Sequence, residues 1–90
     1  MSPKQECMEI LKQEGINPAS TVDYEINSEE TSLTLEYIIE TYMSASQESR
    51  LVFITALKKA AKAKDMGIKK FFEGMGQLLL MSQLSNKFEI

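Results

Sequence analysis

Thirteen carboxylates, ten bases, one cysteine and no histidine are the groups with which this 90-residue chain could do chemistry. Two carboxylate pairs have suggestive spacing: Glu29 and Glu30 are adjacent, and Glu36 and Glu40 stand one helical turn apart. Pairs of this kind can divide acid and base work or hold a cation. Helix-start electrostatics accounts for the first pair and a solvated helix face for the second, so catalysis is not expected. Cys7 has no second cysteine for a bridge and no histidine to take its proton, and no glycine-rich loop follows a strand. Zinc sites, cysteine nucleophiles and phosphate-binding loops are disfavoured. The chain reads as a non-enzymatic protein without a cofactor.

The cations are less evenly spread. Between Lys58 and Lys70, six lysines stand against the single acid Asp65, a local charge of +5. The remaining four bases and twelve acids amount to −8, and the two together return the net −3. An acidic stretch from Asp23 to Glu48 thus precedes a basic one. Two solvated helix faces of opposite sign are one account of this division. A basic surface that holds phosphates or an acidic protein is another.

Helices must position these groups. A 43% apolar and 26% charged composition belongs to a folding chain, and ninety residues make one domain whose small core is compact or shared with a second copy. Ser2-Pro3-Lys4-Gln5 reads as a capped helix start, Cys7, Met8, Ile10 and Leu11 form its stripe, and Gly15 and Pro18 end it. From Ile16 to Thr31 the pattern dissolves; Val22, Tyr24 and Ile26 alternate with polar residues but have no second strand, so an ordered loop is expected. Ser28-Glu29-Glu30 or Thr31-Ser32 then caps a helix carrying Leu35, Ile38, Ile39 and Tyr42. Ser46 caps the strongest helix, with Leu51, Ile54 (or Val52 beside it), Leu57, Ala60 and Ala61 inside. Gly67 and the pair Gly74 and Gly76 are read as breaks, leaving a short helix over 68–73 and a last one over 77–84. The expected fold is all-α, a compact bundle of four to five short helices. Residues 1–50 are read as an acidic, partner-facing arm and 51–85 as a helix-turn-helix-like module. The methionines are scattered and fill core gaps.

Ala56-Leu57, Ala61, Ala63, Met66, Gly74-Met75, Leu80 and Leu84-Ser85 fall, without a gap, on the small and apolar positions of a known pattern. In this stretch the chain resembles the Xre/Cro-like helix-turn-helix antidote (antitoxin) proteins of addiction modules. Those proteins read as A-L-x-x-x-A-x-A-x-x-M, a short helix, T-G-L-S, then R-E-S-L-Y-x-A-L-S. Upstream, Ser28-Glu29-Glu30 and Tyr37 are similar to the family's acidic lead-in and tyrosine-bearing helix, with two or three residues inserted. The resemblance implies a small regulator whose recognition helix begins near Gln77. The groove-facing positions here read Gln77, Leu78, Leu79 and Ser82. Base reading would rest on Gln77 and Gln83, and DNA binding would be weakened. Lys58, Lys62, Lys69 and Lys70 would hold phosphates. Its partners would be duplex DNA and a toxin.

The residues alone leave a second reading open, a helical protein-interaction module with no nucleic-acid role, such as an adaptor, a phage-encoded inhibitor or a dimerising small protein. Phe71, Phe72, Leu78 and Leu79 offer more apolar surface than one small core covers, so a homodimer through these residues is expected. The longest apolar runs are far below the roughly 20 residues of a membrane span, and a cytoplasmic location without membrane contact is expected.

Overall fold

The computed structural model describes the backbone of residues 2–63 and 67–88 and the side chains of these through residue 82. In chain order the elements are α1 (Pro3–Gln13), β1 (Thr21–Ile26), β2 (Glu29–Thr34), α2 (Leu35–Met43), α3 (Gln47–Lys62) and α4 (Gly67–Phe88). The architecture is mostly helical, but a two-stranded antiparallel sheet replaces the expected loop, so the fold is not purely α.

The start of the chain folds as its residues dictate. Ser2 Oγ accepts from the Gln5 amide at 3.2 Å, Gln5 Oε1 accepts from the Ser2 amide at 3.1 Å, and Pro3 opens the helix. At the other end Gly15 takes φ 71°, and the Ile16 and Gly15 amides donate to the Leu11 and Lys12 carbonyls. This left-handed cap satisfies carbonyls that the helix leaves open.

The hairpin pairs Thr21 with Thr34 through Ile26 with Glu29 across a two-residue turn. Asn27 and Ser28 both adopt positive φ, 53° and 67°, the backbone that matches the twist of the flanking strands. Val22, Tyr24 and Leu33 face inward and supply the partner face that the sequence reading did not find. Leu35 follows β2 directly, and the cap of α2 is Thr34, whose hydroxyl accepts from the Tyr37 amide at 3.0 Å, rather than a residue of 28–32. Ser46 caps α3 as expected.

One core takes residues from both halves of the chain. Cys7, Leu11, Ile38, Ile39, Phe53, Leu57 and Phe72 are fully enclosed, with Val22, Leu35, Ile54 and Ile68 beside them. Two inward positions are corrected: Phe53 occupies the place given to Leu51, which is exposed, and Ala61 is only half-buried.

The larger correction concerns α4. Gly74 and Gly76 do not break it; the helix runs unbroken through both. Gly76 is buried beneath Tyr24, so a side chain there would run into the Tyr24 ring and hydroxyl. The glycine serves a close approach rather than a turn. The Tyr24 hydroxyl donates to the Glu73 carbonyl at 2.7 Å and lies 3.2 Å from that of Phe72, while Tyr42 donates to the Met75 carbonyl at 2.9 Å. Two tyrosines from the hairpin and α2 thus grip α4 where propensity alone would let it fray. The tight glycine turn implied by the resemblance is therefore not formed at residues 74–76.

Candidate interaction surface

Neither carboxylate pair is arranged for chemistry. Lys4 Nζ lies 2.6 Å from Glu40 and 3.9 Å from Glu36, so the α2 pair holds the start of α1 rather than a substrate or a metal. The hydrogen bond to Glu40, partly opposed by desolvation, raises the Lys4 ammonium above its ordinary pKa. Glu29 and Glu30 belong to β2, not to a helix start, and point to solvent. Cys7 is enclosed, and burial pushes its thiol up to about 11, the opposite of what a nucleophile needs. Among the described residues no three His, Cys, Asp or Glu side chains gather to hold a metal.

The lysines lie on the surface in two settings. Lys58 is exposed and pairs with Glu6 of α1 at 3.3 Å. Lys59 and Lys62 occupy the last turn of α3, where the helix dipole favours cations. Lys69 and Lys70 lie in the first turn of α4, where it disfavours them, and that turn holds no acid. Lys62 closes α3 and Lys69 and Lys70 open α4, so the three flank one connection between helices, the lysine end of the chain's α3–α4 pair. Among the described residues, Lys59, Lys62, Lys69 and Lys70 enter no salt bridge.

The expected dimer residues divide. Phe72 is fully buried, and Phe71 is half-buried with its ring 5.2 Å from that of Phe53, so both serve the core of one chain instead of a second copy. Leu79 is also half-buried against that core, leaving Leu78 exposed at 58%. Gln77 and Ser82 are exposed on α4, and the side chain of Gln83 lies outside the described residues. Leu78 and Met81, 56% exposed, share one outer face of α4 with Gln77.

A second apolar strip lies on α3. Leu51 and Val52 are 60% and 61% exposed and, with Thr55, Ala56 and Lys59, line a shallow groove that runs toward the lysine end. The sequence reading placed Leu51 inside and so missed this strip. The helical stripe of Phe53, Ile54, Leu57 and Ala60 was the signal that turns Leu51 outward.

The outer face of the hairpin has the opposite character. Thr21, Asp23 and Glu25 share it with Thr34, Ser32 and Glu30, because directly paired residues point to the same side. The Ser32 hydroxyl donates to Asp23 at 2.6 Å, whereas Glu25 and Glu30 stand opposite one another with no cation between them in the segment. Like charges facing across strands destabilise the pair. No helix among the described residues is long and apolar enough to cross a membrane. Comparison with family models, curated proteins and solved structures finds no match to this chain.

Proposed function

We propose that this chain is a non-enzymatic protein-interaction module that docks a protein along the outer side of α3, with the lysine end receiving acidic groups of the partner. The exposed apolar strip at Leu51 and Val52 carries this reading. Two adjacent large aliphatic residues left in water beside a groove that leads to Lys59 and Lys62 serve no internal packing. An apolar centre with a charged flank is the composition of a protein interface.

The regulator reading drawn from the resemblance needs a short helix presented at its start, with Gln77 among its first residues. In the continuous α4, Gln77 lies mid-helix beside Leu78 and Met81, which gives less support to base reading. A photoreactive amino acid at position 52 of the full chain, activated in the cells that produce it, tests the proposal. A discrete protein adduct that disappears on Leu51→Asp is the expected result. The result that overturns it is duplex binding that survives physiological salt, with a log-log salt slope of about −3 to −4 that flattens by about 2 in Lys69→Gln/Lys70→Gln.

A further inference from the structure

The fold carries two electrostatic costs of opposite sign. Glu25 and Glu30 face each other across the hairpin, on an outer surface that also bears Asp23, and residues 21–34 contain no base. Lys69 and Lys70 sit at the unfavourable end of a helix dipole, across the connection from Lys62 at the end of α3. Neither arrangement helps its own element, and no salt bridge joins the two within the chain among the described residues. The geometry points to a second copy of this chain as the partner: the acidic outer face of one hairpin seats on the lysine end of the other copy, and the contact is returned. This inference rests on the reading that the lysine end receives protein carboxylates.

Reciprocity follows from size. A six-residue ribbon is about 20 Å long and, with two strands, about 10 Å wide, a face of about 200 Å². A stable interface takes about 800 Å² from each partner. One hairpin contact falls well short, whereas a two-fold pair makes it twice and brings the surface between the two contacts into the interface. Such a pair closes on itself, so the association stops at two copies.

The charges provide the test, by sedimentation of the full chain at tens of micromolar. A dimer is expected at about 0.1 M salt and monomer at about 1 M, where the screening length shortens to about 3 Å. Glu25→Lys/Glu30→Lys and Lys69→Glu/Lys70→Glu should each raise the dimer dissociation constant about tenfold or more, and mixing the two variants should restore a dimer containing one copy of each. Glu25→Gln/Glu30→Gln guards against misfolding as the cause. Removing the facing charges should raise the melting temperature of the dilute monomer while still weakening the dimer. Monomer at low salt, a dimer indifferent to both double substitutions, or failure of the mixture to associate would each overturn the pairing. A monomeric chain that still gives the discrete adduct at position 52 would overturn self-pairing alone and leave the interaction-module reading standing.

Discussion

Cys7, Tyr24 and Tyr42 are weak acids that the fold keeps in their neutral forms. Burial raises all three, the thiol from 9.0 to about 11 and the two phenols upward from 10.0. The native state therefore holds these protons more tightly than the unfolded chain does. For such groups the stabilisation is complete below the unfolded pKa and is lost as pH rises through the folded one. Stability should accordingly begin to fall near pH 9 and fall further through pH 10 and 11 as the phenols join. Denaturant midpoints measured across that range check this, and Cys7→Ala should remove the earliest part of the decline. A flat profile would show that these groups are solvated in the native state. Ser28 shows a different cost. At φ 67° it occupies a backbone that favours glycine, and this is one reason the hairpin was hard to read: Asn27-Ser28 lacks the Asn-Gly signature of a two-residue turn.

The same glycines mean different things at the scale of the element. Gly74 has open space where a Cβ would stand, whereas Gly76 is closed in by Tyr24 and Ile38. Gly74→Ala should therefore stabilise the chain by about 0.5–1 kcal/mol, the helix-propensity difference. Gly76→Ala should destabilise it by about 1–3 kcal/mol, because overpacking against Tyr24 outweighs the propensity gain. Thermal melts of the two variants side by side decide the matter, and equal shifts would place Tyr24 elsewhere. Local rules made α1 legible from Ser2 to Gly15, since its caps and stripe lie within one segment of sequence. They failed for α4, whose continuity depends on tyrosines 33 to 49 residues away. They failed also for β2, where Glu29, Glu30, Thr31 and Ser32 show almost no apolar alternation. A two-stranded ribbon buries only one face, and in β2 Leu33 is the only large apolar side chain on that face. Of the surface, the lysine cluster could be read directly from the sequence, but the strip at Leu51 and Val52 required knowing which side of α3 meets the core.

For the whole molecule, a radius of gyration of 13.4 Å exceeds the roughly 12 Å of a compact chain of this length. The 22 residues of α4, about 33 Å of helix, account for much of the 40 Å long axis. Leu57→Ala, at a site with no exposure, should cost about 2–5 kcal/mol, while Leu51→Asp on the same helix should change stability by no more than about 0.5 kcal/mol. Denaturant midpoints measured on dilute protein would separate the two. A large loss from Leu51→Asp would mean that the strip packs within one chain and is not presented to a partner.

The contact between Tyr24 and Gly76 also constrains how the sequence can drift. A larger residue at position 76 is tolerated only if position 24 shrinks, and a shrunken position 24 gives up the hydroxyl that holds the Glu73 carbonyl. The two positions should covary as a pair, an aromatic hydroxyl with a glycine 52 residues later, while the exposed residues between them change freely. That pairing, together with a strand that runs directly into its own helix cap at Thr34, is a signature by which distant relatives of this chain can be recognised after overall similarity has faded.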